Sequence, residues 1–311
     1  MYTPRFLFKY SMMKKVFLLA MLAAVVNACF SQKIDNRLQT MIGKKIEGFQ
    51  GDIGVYIKNL RTGKVVMVNA DTVFPTASIV KIPIMLGIVD KMEKGELHYD
   101  STHMYRDSLL YAGEDILGSF RDGERIALKK IMMLMLTTSD NTASLWLQKL
   151  AGSGERINQI LDSLGFVNTR VNSRTPGREE IRKIYGWGQT SPIEMGQILE
   201  SIYRNKIFSP AACDRMMRCL GRNFWDENEG ISMIPPYIEV FSKNGCVDAS
   251  RNEAMIVNAP HNPYVFCIFS KNNKDKSWTH SNEAWTLTRE ISSLLWDYFE
   301  PKDKWIKPGS K

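Results

Sequence analysis

Strand-forming segments stand at the two ends of this chain, and a long helix-patterned stretch, from about residue 85 to 220, separates them. Asp52 to Asn59 is rich in β-branched and aromatic residues, Arg61-Thr62-Gly63 is a turn, and Lys64 to Asn69 is the returning strand of a hairpin. After Pro235-Pro236 the strand signal resumes, over Tyr237 to Lys243, Glu253 to Asn258 and Tyr264 to Lys271. Ser281 to Phe299 closes the chain with apolar residues at helical spacing: Trp285, Leu287, Ile291, Leu294 and Leu295. Between the ends, Leu128 to Thr137 reads as a buried helix, joined by helices over 142–151, 155–164, 192–203 and 210–220. A sheet built from both ends of the chain is the natural way for the two strand groups to bury a face. An α+β fold follows: a five-stranded antiparallel sheet flanked by helices, with a helical lobe inserted into it. The expected division is a sheet lobe of about 32–82 and 221–311 and a helical lobe of about 83–220. Among the 311 residues 44% are hydrophobic and 24% charged, enough apolar material for a large core. No internal repeat or low-complexity linker is visible.

Residues 1–31 read as a secretory signal. Lys14 and Lys15 precede an apolar run from Val16 to Val26 that is too short to span a membrane comfortably, and Met13 is a plausible start. Val26-Asn27-Ala28-Cys29 resembles a bacterial lipoprotein cleavage site, with Cys29 as the lipid anchor. Cleavage after Ser31 is the alternative. The expected location is periplasmic or lipid-anchored at the envelope of a bacterium. The formal net charge of +8 includes Arg5, Lys9, Lys14 and Lys15 of the leader, which leaves +4 for the rest. No basic block or basic–aromatic stripe points to nucleic acid. Cys213 and Cys219 are six apart on a predicted helix and face different ways, so with Cys246 and Cys267 they suggest no essential disulfide. His98, His103, His261 and His280 lack ligand spacing, so no metal or other cofactor is expected. The expected state is a monomer acting on a small molecule.

The chemistry is concentrated in Phe74-Pro75-Thr76-Ala77-Ser78-Ile79-Val80-Lys81. A helix starting at about Ser78 puts Lys81 three residues on, on the same face. Ser78 then sits where free N–H groups and the positive end of the helix dipole favour a developing oxyanion. Ser78 reads as a nucleophile and Lys81 as its base, provided burial and nearby cations lower the lysine pKa. Ser-x-x-Lys is a cheap pattern, and Ser11 and Lys14 match it in the leader. Two further motifs add specificity. Ser139-Asp140-Asn141 follows the buried helical run, and Lys243-Asn244-Gly245 ends a predicted strand. Each has an ordinary structural reading: N-cap residues for the next helix, and an Asn-Gly turn.

Together and in this order, the three motifs resemble the Ser-x-x-Lys, Ser-Asp-Asn and Lys-Thr-Gly set of class A β-lactamases and penicillin-binding proteins. The chain is similar to these penicillin-recognising serine hydrolases over roughly residues 35–300, including Asp140-Asn141-Thr142-Ala143 and Thr190-Ser191-Pro192. The resemblance implies a β-lactamase-like fold and a role for each matching residue. Ser78 is acylated and Lys81 is its base. Ser139 relays a proton to the leaving nitrogen. Asn141 holds the substrate amide, and Lys243 supplies positive charge near Ser139 and the substrate carboxylate. Asn244 and Gly245 complete that wall, and the backbone N–H groups of Ser78 and Cys246 form the oxyanion hole. Arg251, eight residues beyond Lys243, is a second carboxylate ligand.

Two departures stand out. Asn244 replaces the family's Thr or Ser, although an amide can still donate to a carboxylate. The loop 172–180 lacks the family's Glu-x-x-x-Asn pattern. The places of those two residues fall near Thr175 and Glu179, which leaves Glu179 or Glu180 as the acids from which a deacylation base would come. The expected function is an exported active-site-serine hydrolase, acylated by a β-lactam or related amide, with impaired deacylation. The alternatives are a peptidoglycan-directed D,D-carboxypeptidase or transpeptidase relative, and a non-catalytic β-lactam-binding sensor.

Overall fold

A computed structural model describes residues 33–111, 113 and 115–308. The leader and Cys29 lie outside the described residues. The backbone runs α1 (Asn36–Ile46), β1 (Asp52–Asn59), β2 (Val65–Val68), β3 (Phe74–Pro75), a 3-10 turn (Ala77–Val80), α2 (Lys81–Glu93), β4 (Thr102–Met104), β5 (Arg125–Ala127), α3 (Leu128–Thr137), α4 (Asn141–Leu150), α5 (Ser153–Ser163), β6 (Arg170–Val171), α6 (Glu179–Tyr185), β7 (Gly188–Thr190), α7 (Pro192–Tyr203) and α8 (Pro210–Leu220). It returns through β8 (Val240–Val247), β9 (Ser250–Val257), β10 (Tyr264–Lys271) and α9 (Glu283–Phe299).

The main sheet has the order β2-β1-β10-β9-β8, with each neighbouring pair antiparallel. β1 from the N-terminal hairpin lies beside β10, so the two ends of the chain are stitched together at the sheet centre. β10 shows why both faces are covered. Tyr264, Phe266 and Ile268 join one apolar cluster with Leu38, Ile42, Ile291 and Leu295 of α1 and α9. Val265, Cys267 and Phe269 join a second cluster with Met195, Ile198 and Ile202 of α7. Successive strand residues point to opposite faces, so a nearly continuous apolar run buries both sides at once. Small residues set the spacing. A Cβ on Gly196 of α7 would lie 2.4 Å from the Tyr56 ring of β1.

Several elements differ from the sequence expectation. β8 does not end at Lys243. Pro236 and Tyr237 form a turn, the strand begins at Val240, and it runs through Lys243, Asn244 and Gly245 to Val247. The turn to β9 is Asp248-Ala249, with Val247 opposite Ser250, so Asn244-Gly245 is strand and not turn. Helix α1, capped by Asp35, and helix α6 were not expected. Pro83 leaves α2 intact because it is the third residue of the helix, where its missing N–H has no helical partner to lose. Among the described residues no helix is long and apolar enough to cross a membrane, and Cys213, Cys219, Cys246 and Cys267 are unpaired.

Replacing a helical glycine by alanine normally stabilises a helix by about 1 kcal/mol. At Gly196 the collision with the buried Tyr56 ring opposes this, at about 1–3 kcal/mol for overpacking. Gly196→Ala is therefore expected to lower the urea midpoint of unfolding; an unchanged or raised midpoint contradicts the close packing of α7 on β1.

Candidate active site

The turn that carries Ser78 is held from two sides. Its preceding strand β3 pairs with β7 (Phe74 opposite Thr190), and Thr76 N donates to Gly188 O at 2.9 Å. On the other side β8 presses its backbone against the turn. A Cβ on Gly245 would lie 2.4 Å from Thr76 O, 2.9 Å from Ser78 N and 3.0 Å from Ile79 N. Only a residue without a side chain allows this approach. Ala77, just before Ser78, has a φ of 44°, a conformation that costs a non-glycine residue about 1–3 kcal/mol. The expected helix start at Ser78 is a 3-10 turn that becomes α-helical at Lys81.

Lys81 is the centre of the cluster. It is 0% exposed. Its Nζ donates to Ser139 O at 2.5 Å and Asn141 Oδ1 at 2.8 Å, and lies 3.0 Å from both Ser78 Oγ and Ser139 Oγ. Burial pushes its pKa well below that of a free lysine. The Lys243 ammonium pushes the same way, while Asp115 and Asp140 pull against both. A neutral amine at 3.0 Å from a hydroxyl has a lone pair within reach of its proton.

Ser139 has a φ of 62°, another left-handed non-glycine position. Two carboxylates hold it there. Asp140 caps α4 by accepting from Ala143 N at 2.7 Å, and accepts from Leu117 N at 2.7 Å. Burial raises the pKa of its carboxyl, against the pull of those two hydrogen bonds. Asp115 accepts from Asn141 N at 3.0 Å, Thr142 N at 2.7 Å and Thr142 Oγ1 at 3.0 Å. The N-cap reading of this motif thus applies to Asp140, while Ser139 and Asn141 face Lys81.

Lys243, on β8, is 0% exposed. Burial pushes its pKa down to about 8, although Glu229 and Glu253 oppose the shift. Its Nζ donates to Asn244 O at 2.9 Å and Asn244 Oδ1 at 3.0 Å. The Asn244 Nδ2 donates to Glu229 Oε1 at 2.7 Å, so the amide expected to serve a substrate carboxylate is occupied by an internal one. Glu253, opposite Asn244 in the register, accepts from Gly230 N at 2.6 Å. Burial and the neighbouring Glu229 charge push its pKa up to about 8.

Two expected residues are not brought to the cleft. Arg251 is 1% exposed, lies over the Trp278 and Trp285 rings at 4.2 and 4.8 Å, and donates to the carbonyls of Val247, Ser250 and Ser277. Two indoles, its own turn and Ser277 O enclose the guanidinium that was expected to hold a ligand, leaving its Nε buried without a partner. Glu179 starts α6, accepts from Gly177 N at 3.2 Å, and lines a separate cavity with Arg182 and Lys183. It serves as a first-turn helix acid. Thr175, at the place of the missing glutamate, is buried against α5 with its hydroxyl donating to Ser173 O at 3.0 Å.

Ser78 opens on two adjoining cavities. One, of about 520 Å³, is lined by Asn141, Cys246 and the aromatic pair Tyr111 and Trp187, edge to face at 5.1 Å. No carboxylate is among the described residues that line it. The other, of about 990 Å³, is lined by Ser139, Asn141, Glu229, Asn244, Gly245 and Trp285 among others. Among the described residues no cluster of three or more His, Cys, Asp or Glu is arranged to hold a metal ion. Asp115, Glu229 and Glu253 are the functional neighbours that motif reading misses. Each reaches the site from outside its three motifs, and an isolated acid in a sequence carries no sign of its burial.

A model of the family described as "Beta-lactamase enzyme family" matches residues 33–299. The chain is 22% identical over 298 residues to beta-lactamase VEB-1 of Pseudomonas aeruginosa, covering 92% of this chain and 98% of that protein. It is 23% identical over 288 residues to a beta-lactamase of Bacteroides uniformis, covering 89% and 94%. Among solved structures it is similar to PBP-A, with a TM-score of 0.77, 23% identity and coverage of 87% and 98%. A beta-lactamase from Chitinophaga pinensis DSM 2588 gives a TM-score of 0.76, 21% identity and coverage of 84% and 99%. These structural likenesses cover 84–87% of the chain and show a shared β-lactamase-like fold.

The charges around Lys81 make a pH prediction. Serine reactivity that depends on the neutral amine rises with pH as Lys81 loses its proton. A neighbouring cation disfavours protonated Lys81, so removing that cation raises the lysine pKa. In Lys243→Gln the rising limb of Ser78 acylation by a chromogenic activated ester should move to higher pH, while Lys243→Arg leaves it in place. Identical limbs in all three proteins would remove Lys243 from the electrostatics of the nucleophile.

Proposed function

The chain belongs to the beta-lactamase enzyme family, and we propose that it is an active-site-serine hydrolase acylated at Ser78 by a β-lactam or related amide, with slow release of the acyl group. The observation that carries this reading is the buried Lys81 amine, 3.0 Å from the hydroxyls of both Ser78 and Ser139. Ser78 Oγ attacks the carbonyl carbon and its proton passes to neutral Lys81. The N–H groups of Ser78 and Cys246 receive the oxyanion, at about 3 kcal/mol per donor. Collapse breaks the carbon–nitrogen bond. Ser139 protonates the leaving nitrogen and recovers its own proton from Lys81. Asn141 positions the amide, and burial together with Lys243 keeps Lys81 neutral. The similarity to PBP-A supports an acyl-enzyme reading, since a mutant of that protein was solved as an acyl-enzyme complex with penicillin G.

Slow release is supported by the surroundings of the ester. Thr175 is turned inward, Glu179 lines another cavity, and no described residue of the smaller cavity is a carboxylate. In the larger one, which Asp226 and Glu227 also line, Asp115 is saturated by the start of α4 and Glu229 is engaged by Asn244. Without a general base for water, hydrolysis loses a factor of about 10²–10⁴. The same arrangement favours the second reading, a peptidoglycan-directed acyl enzyme that passes its acyl group on without such a glutamate. Export through residues 1–31, with Cys29 as anchor in the lipidated case, belongs to this proposal.

Intact-mass spectrometry of the mature protein with benzylpenicillin, from seconds to hours, separates the readings. A penicilloyl adduct is expected on the wild type, absent in Ser78→Ala, and persisting for hours. An adduct that clears while the drug is consumed refutes slow release, and no adduct in folded protein refutes acylation by β-lactams.

A further inference from the structure

The wall of the larger cavity departs from what a carboxylate-binding subsite requires. Such a subsite offers free donors and uncompensated cations. Here the Asn244 Nδ2 donor is spent on Glu229 Oε1 at 2.7 Å. The Lys243 ammonium is turned onto the two oxygens of Asn244, at 2.9 and 3.0 Å. Arg251 is walled off behind indoles. Glu229 itself is 6% exposed and lines the cavity beside Asn244 and Gly245. The charged residues on the rim of the same cavity, Asp226 and Glu227 against Arg222, add no net cation.

We propose that Glu229 is a specificity-determining residue that disfavours, relative to their amides, ligands with a free carboxylate at this subsite and favours ligands that present a hydrogen-bond donor there, a carboxamide or an ammonium. This rests on the reading of Ser78 as the acylated nucleophile and names the class of substrate that reaches it. Burial raises the pKa of Glu229, while its hydrogen bond from Asn244 and the nearby Lys243 pull it down. Where Glu229 is ionised, a ligand carboxylate at the Asn244 wall meets a like charge, and like charges brought together in a partly buried site oppose binding. A carboxamide at the same position can donate to Glu229, which lines the cavity, while Lys243 keeps its bonds to Asn244 beneath the wall. The substrate is then an amide whose leaving portion ends in an amidated or amine-bearing group.

The test compares benzylpenicillin with its carboxamide on the full protein, reading acylation rates by intact mass. The wild type is expected to react with the carboxamide at least about tenfold faster than with the free acid. Glu229→Gln, which keeps the shape and removes the charge, should lower that ratio about tenfold. A merely structural role for Glu229 would slow both ligands together. A wild type that prefers the free acid, or a ratio unmoved in Glu229→Gln, overturns the proposal. The comparison within the wild type decides even where the variant does not fold. Binding of the same pair to Ser78→Ala by calorimetry separates the two levels. Preference for the carboxamide without acylation of the wild type upholds the subsite and refutes the acyl-enzyme reading. Equal binding, or none, refutes the subsite.

Discussion

The buried amine of Lys81 is the constraint on which the rest of the site depends. Placing a lysine where water cannot solvate its charge is costly, and the protein meets the cost by surrounding it with four oxygens from two segments. Those segments are the turn before α2 and the loop before α4, and neither holds its conformation by local preference alone. Ala77 and Ser139 both sit at positive φ. The strain at each is offset by tertiary contacts: β7 and β8 on one side, Asp115 and Asp140 on the other.

The main sheet serves the site chiefly through its edge. β8 brings Gly245 into contact with the nucleophile turn and, on the same strand, Lys243 to within electrostatic reach of Lys81. Because β8 continues past Gly245 to Val247, its backbone rather than a turn faces Ser78. A turn at Asn244-Gly245 would have removed the backbone from the place where a tetrahedral intermediate needs donors. The acidic residues behind β8 set the charge of the wall. Glu229 and Glu253 act on Lys243, and Glu229 holds the Asn244 amide, so the Asn244 donor is satisfied internally.

Much of this was legible in the sequence, for identifiable reasons. β1, β10, α3, α7 and α8 match their expected bounds because their apolar periodicities are long and flanked by strong punctuation, Pro192 and Pro210 among them. Ser78, Lys81, Ser139 and Asn141 were marked by spacing, and the structure gathers the two serines and the asparagine within hydrogen-bonding distance of the one amine. The errors share a cause. Asn244-Gly245 carries a strong local turn signal, but Gly245 is glycine because another backbone lies against it. Arg251 and Glu179 were assigned from charge and spacing, and their partners, two tryptophans and a helix start, come from elsewhere in the fold.

The sequence by itself determined the order of elements, the sharing of one sheet by the two chain ends and the spacing that brings Ser78 and Lys81 together. These rest on periodicity and on short spacings along one helix face, which are local properties. Only the tertiary structure decided how those groups are charged and what they can receive. Whether Lys81 is stripped of water, whether Asn244 is free to donate and whether any carboxylate faces Ser78 all depend on groups distant in sequence. Burial and Coulomb interaction act through space, and a linear pattern does not record them.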